Sequence, residues 1–247
     1  MIISVINHTN GEISDEELQC AIRAINRQIS EDFAPYWGLS AELRLEGKSE
    51  KKPSKHSLAD MRGDAVMYVW DKVDVDDALG YHDKNDRGIP YGFVFKELAK
   101  ELEEEWTVTL SHEALELIGD PEVNLLVVGP NPNDRRKRVF HWYEMCDAVQ
   151  DENYEIDGVK VSNFLLPLYF TSSDERGGRN DFLGRSHDGE TLVSFGVNPG
   201  GYIGFFDPDR KKDGSFFTRG DQRAQKRLEV KRKAKGARRS VRYSRLI

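Results

Sequence analysis

The chain has 247 residues, 38% hydrophobic and 32% charged, with a formal net charge of −7. That length and apolar content can bury one sizeable core and exclude a disordered polymer. No run approaches the roughly 18 uninterrupted apolar residues of a membrane span, and the opening MIISVINHTNGE lacks the basic start and long apolar run of an export signal. Cys20 and Cys146 are too few for a disulfide framework and read as reduced thiols, which points to a cytoplasmic protein. The charge is uneven. From Arg219 to Ile247, twelve Lys and Arg face only Asp221 and Glu229, which leaves −17 on residues 1–218: an acidic body followed by a basic tail.

In chain order, the β-branched run IISVINH reads as a buried strand. The next segment, GEISDEELQCAIRAINRQISEDF, reads as a helix with Ser14 and Glu17 as a capping box and one apolar stripe through Leu18, Ala21, Ile22, Ile25, Ile29 and Phe33. Pro35 and Gly38 are expected to end it. AELRLEG and AVMYVWD read as strands separated by the polar loop GKSEKKPSKHS, and an Asp- and Gly-rich loop spans Val73 to Arg87 before a short strand IPYGFVF. Leu98, Leu102, Trp106, Leu110 and Leu117 then predict one long helix from Lys96 to about Ile118, stopped by Gly119-Asp-Pro121.

Beyond Pro121, NLLVV reads as a strand, PNPNDRRKR as a loop and VFHWYEMCDAV as a short helix or strand. Tyr154-Glu-Ile and Val159-Lys-Val flank Asp157-Gly158, which predicts a two-residue hairpin. Further strands are expected at NFLLPLYF, TLVSFGV and GYIGFF, giving a single α+β domain over residues 1–218 with a mixed sheet, an N-terminal backing helix, an active-site helix and a β-rich C-terminal part.

The segment that carries chemistry is Ser111-His112-Glu113-Ala114-Leu115-Glu116. On a helix His112 and Glu116 share one face with Glu113 beside them, so two side chains can hold a metal while a third reaches a bound water. This is H-E-x-x-H with Glu in the last place. One His with two carboxylates brings a zinc centre near neutrality and makes it a weaker Lewis acid than a two-His set. Oxygen-rich donors also suit Mn²⁺, Fe²⁺ or Ca²⁺. Three third ligands are open: Glu144, which would share a helical face with Asp147 as its supporting partner; Asp120, one turn after Glu116; and Glu122.

An edge-like strand just before a long helix bearing this motif resembles the zincin metalloprotease fold. More narrowly, SHEALELIGDP followed by WYEMCDAVQ, YEIDGVKVSNFLLPLYF and NPGGYIGFFDP resembles a family of little-characterised bacterial and phage proteins with an H-E-x-x-E motif, over roughly residues 60 to 208. The resemblance implies a zinc-dependent metallopeptidase with His112 and Glu116 as ligands, Glu113 as general base and Glu144 as downstream acidic ligand, acting on a peptide or protein; phage origin would make it virion-associated. Well-described peptidases of that fold have His where Glu116 stands.

Other features have two readings each. Asn198-Pro-Gly-Gly-Tyr202 either brings the Tyr202 hydroxyl to a cleft as an oxyanion donor or is a plain turn. Cys146 is either a thiolate ligand or a small core residue. His82, Asp83 and Asp86 either form a second cation site or a solvated loop, and His8, His56 and His187 have no companions. The tail 219–247, with Tyr243 as its one aromatic, either engages nucleic acid, an anionic surface or the acidic body, or is a mobile extension. The alternatives to a peptidase are an inactive scaffold whose tail binds nucleic acid or a larger assembly, and a metal-dependent nuclease.

Overall fold

The computed structural model describes residues 1–54, 57–71, 81–171 and 178–233. The first strand, β1 (Ile2–His8), leads into α1 (Asp15–Arg27), where the Ser14 side chain accepts from the Glu17 amide and the Glu17 carboxylate accepts from the Ser14 amide. Leu18, Ala21, Ile22, Ala24 and Ile25 are buried, as the periodicity requires. The helix then widens into a π turn, Gln28–Phe33, that buries Ile29 and Phe33. A strict four-residue spacing drifts round a 3.6-residue helix, and the wider turn keeps these side chains on the core stripe. Pro35 does not end the run. It sits in the first turn of α2 (Ala34–Trp37), and Gly38 at φ 64° closes it.

Strand β2 (Glu42–Glu46) pairs parallel with β1, which also pairs parallel with β3 (Ala65–Trp70). Every residue of β3 is buried, as expected of a central parallel strand covered on both faces. Two more strands complete the sheet: β4 (Tyr81–Lys84), antiparallel and at the edge, and β5 (Pro90–Phe95), parallel to β3, giving the order β2-β1-β3-β5-β4. One face packs Ile3, Val5, Met67, Val69 and Val94 against helical residues including Ile22, Ile25, Leu110 and Leu115. The other face is aromatic, with Tyr68, Trp70, Tyr91, Phe93 and Phe95.

The predicted long helix is two helices, α3 (Lys96–Glu101) and α4 (Trp106–Gly119), with Glu103 at φ 57° between them. Glu101, Glu103, Glu104 and Glu105 explain the break, since acids oppose the dipole at the C-terminus of α3 and favour the N-terminus of α4. Strands β6 (Leu126–Asn131) and β7 (Asp134–Trp142) form a hairpin. Arg135–Arg138, read as loop, lies in β7 with the charged side chains facing solvent.

Next come the hairpin β8 (Asn153–Ile156) and β9 (Val159–Ser162), turning on Asp157 and Gly158 at φ 52° and 79°, and the two-residue pair β10 (Ser186–His187) and β11 (Glu190–Thr191). NFLLPLYF is not a strand: Pro167 opens a 3₁₀ turn to Phe170. TLVSFGV contributes only Thr191 to a ladder, and Phe195 at φ 57° turns the chain. GYIGFF does yield β12 (Ile203–Asp207), which pairs with β7 and with β13 (Lys212–Phe216) in the order β13-β12-β7-β6.

The basic segment begins with α5 (Gln222–Lys233), and this part is docked: Ala224 and Leu228 are buried, Arg223 pairs with Asp151 at 2.8 Å, and Asp221 accepts from the Gly200 amide at 2.6 Å. Residues 234–247 with Tyr243, residues 72–80 of the Asp-rich loop, and His56 lie outside the described residues. Among the described residues no helix is long and apolar enough to cross a membrane. The architecture is α+β with one mixed sheet carrying the N-terminal half.

Candidate metal centre

Helix α4 is buried all round from Leu110 to Gly119, lying between β4 and β5 on one side and the β8–β9 hairpin on the other. A helix in that position is expected to be apolar, yet it carries His112, Glu113 and Glu116 at 5%, 3% and 2% exposure. Buried ionisable groups are costly unless paired or bound to a metal, so three on one helix mark a candidate site.

The helix is fastened in place. The Ser111 hydroxyl donates to Gln28 Oε1 at 2.6 Å and accepts from the Ser162 amide at 3.1 Å, while Gln28 Nε2 donates to the Ser162 carbonyl at 2.7 Å. Gly119 lets the next segment approach, because a Cβ there would lie 2.3 Å from Met145 Cε. Beyond Met145, the Cys146 amide donates to Glu116 Oε1 at 3.1 Å and holds that carboxylate's rotamer.

The chain after β7 is not helical. Glu144 lies outside any helix or strand, and Asp147 opens a 3₁₀ turn to Val149, so the two acids do not share a helical face. Asp147, rather than Glu144, is the acid brought to His112: its Oδ1 is 3.4 Å from His112 Nε2. Glu144 lines a small cavity with Asp147, His141 and Tyr169, and belongs to neither of the two groups of donors that could hold an ion. Asp120 is occupied elsewhere: its two oxygens accept from the amides of Asn124 and Leu125 at 3.1 and 3.0 Å and shape the turn after α4. Glu122 is exposed and pairs with Lys84.

The Asn198-Pro-Gly-Gly turn acts through backbone. Asn198 donates its amide to the Ala148 carbonyl at 3.0 Å, and Tyr202 donates its amide to the Asp147 carbonyl at 3.1 Å. Tyr202 itself is buried, and through its amide the turn braces the Asp147 carbonyl. Cys146 is a core thiol: burial pushes its pKa well up, and Glu116 and Asp147 push it further, which keeps it from being a thiolate.

The first group of donors is His112, Glu116 and Asp147. His112 Nε2 lies 3.4 Å from Glu116 Oε1 and 3.4 Å from Asp147 Oδ1, and it has no hydrogen-bond partner. Charge-assisted hydrogen bonds close to roughly 2.7–2.9 Å. Donors on a tetrahedral zinc at bond lengths of about 2.0–2.2 Å stand roughly 3.3–3.5 Å apart, and these donors fit that spacing. Without an ion, burial lowers the His112 pKa, but Glu116 and Asp147 overcome this and hold the imidazole protonated well above its ordinary range.

The second group is His82, Glu113 and Glu116. His82, expected in a loop with Asp83 and Asp86, stands on β4 instead, with Nδ1 3.2 Å from Glu113 Oε2 and 3.7 Å from Glu116 Oε2. The signal was its pairing opposite Gly92 in PYGFVF, which needs the strand to be recognised first. A cleft of about 460 Å³ opens at the N-terminal end of α4, lined by Trp106, Val108, Gln150 and Arg223 among others. Val108 and Gln150 are one turn from His112 and Asp147 respectively. No protein family, curated protein or solved structure matches the chain.

Proposed function

We propose that this chain is a zincin-like, metal-dependent hydrolase of peptide bonds, with zinc held by His112, Glu116 and Asp147. The observation that carries the reading is the buried His112 Nε2, without a hydrogen bond and equidistant from two carboxylate oxygens. Supporting the zincin-like comparison are the antiparallel edge strand β4 beside α4 and the H-E-x-x-E motif on that helix.

An ion at this position supplies Lewis-acid chemistry, acidifying a water and polarising a carbonyl. Cys146 orients Glu116 through its amide, and the 198–202 turn orients Asp147. Glu113, beside the donors, accepts the proton of the attacking water and returns it to the leaving amine. Glu113→Gln is expected to keep the metal and to lose cleavage of a fluorogenic peptide library; undiminished cleavage by that variant refutes the mechanism.

A second reading has its own observation. The donors are almost fully enclosed, as in structural metal centres, and this favours a non-catalytic scaffold whose basic segment binds nucleic acid or another polyanion. Removing residues 234–247, which follow α5, separates the two. A scaffold loses a salt-dependent affinity for duplex DNA or RNA; a peptidase keeps its hydrolysis.

A further inference from the structure

We infer that His82, Glu113 and Glu116 form a second cation site that shares the Glu116 carboxylate with the first, making the centre dinuclear. The inference rests on the metal site proposed above and extends it. Glu116 has its two oxygens turned to different partners: Oε1 faces His112 and accepts from Cys146, and Oε2 faces His82. That is the disposition of a carboxylate bridging two ions.

His82 is buried at 4% exposure and its Nε2 has no hydrogen-bond partner. His82 Nδ1 stands 3.2 Å from Glu113 Oε2, a long hydrogen bond when no ion is bound, and 3.7 Å from Glu116 Oε2, so one nitrogen and two carboxylate oxygens converge closely enough for a cation to replace the proton between them.

Charge agrees with this arrangement. The buried centre holds three carboxylates, Glu113, Glu116 and Asp147, and the charged groups that act on Glu116 include His112, Asp147 and His82. With neutral imidazoles, one divalent ion leaves −1 in a low-dielectric interior; two leave +1, which a single exogenous anion cancels. Singly loaded protein keeps Glu113 as proton acceptor, and the second ion takes it as a ligand.

The test is Mn²⁺ titration of chelator-stripped full-length protein, read by elemental analysis and electron paramagnetic resonance. Expected are two equivalents in wild type with an exchange-coupled spectrum. In His82→Gln and His82→Ala a single equivalent with an isolated six-line signal is expected, the second Kd rising more than about 100-fold. One equivalent in wild type, unchanged in the His82 variants, overturns the second site and leaves the first standing. Two equivalents in both wild type and variants places the second ion elsewhere and also overturns it. No bound ion removes both readings. If a His82 variant fails to fold, the wild-type spectrum decides: exchange coupling requires two ions held side by side by a bridging group, and two uncoupled signals overturn the shared centre.

Discussion

Gly201→Ala tests whether the 198–202 turn holds Asp147. Gly201 does not have a positive φ, so the cost is steric: the new Cβ would lie 2.1 Å from the Ala148 carbonyl oxygen and 2.5 Å from its carbon, where 3.4–4 Å is ordinary contact. Both atoms are backbone and cannot swing aside. Overpacking of this kind costs about 1–3 kcal/mol, and displacing Ala148 strains the hydrogen bonds from Asn198 and Tyr202, worth about 1 kcal/mol each. The total, about 3–5 kcal/mol, should lower the melting temperature by roughly 6–20 °C in a chain of this size. Because Ala148 follows Asp147, zinc affinity should also fall at least about 10-fold. Differential scanning calorimetry of the metal-free protein and isothermal titration with zinc measure the two effects, with Gly47→Ala, which meets nothing within 4 Å, as control. A Gly201→Ala protein that melts with the control and binds zinc as wild type refutes the claim that this turn fixes Asp147.

Other perturbations separate ligands from supports. Asp147→Ala should abolish zinc binding, while Asp120→Ala should cost about 1–3 kcal/mol by leaving two amides unpaired and keep the metal stoichiometry, as elemental analysis with urea unfolding will show. His112 is held protonated in the metal-free protein, so zinc uptake must release its proton: affinity should rise with pH, and titration heats should depend on buffer ionisation enthalpy. In the ion-free fold the sign is opposite, since a raised imidazole pKa stabilises below about 6.5 and that contribution disappears as pH rises through the raised value. His141, packed against Phe195 and donating to the Pro130 carbonyl, has its pKa lowered by burial to about 4. It therefore adds stability above about 6.5 that is lost as pH falls towards 4, up to about 3 kcal/mol, and His141→Phe should remove that part of the pH slope in urea melts. Ser14→Ala should cost about 1 kcal/mol by removing one half of the α1 capping box.

Features fixed by neighbours along the chain were legible. The Ser14–Glu17 cap, the Asp157-Gly158 turn and the His112–Glu116 helix face each depend on residues within a few positions, and each is present. What failed depends on distant partners. Tyr81–Lys84 carries no strand signal of its own and is ordered by its ladder with β5, so His82 was assigned to the wrong company. Arg135–Arg138 looks like a loop because its solvent-facing charges mask the ladder that β6 imposes. That Asp147 rather than Glu144 lies beside His112 was hidden because it turns on whether residues 143–147 are helical, where Met145 packs on Gly119 and a turn some fifty residues downstream braces the chain. The break at Glu103 was readable in principle, as four acids in five residues favour the start of a helix and oppose its continuation.

The clamp on Asp147 also has a consequence for biosynthesis. The donors are made at positions 82, 112–116 and 147, but the turn that fixes the last of them arrives with residues 198–202, and Asp221 secures Gly200 later still. During N-to-C synthesis the ionisable face of α4 must therefore remain hydrated while more than eighty further residues are added, and burial waits for the C-terminal quarter. For the proposed centre, ion acquisition is then expected late, and a nascent chain stopped before residue 198 should carry all the candidate donors without holding an ion tightly.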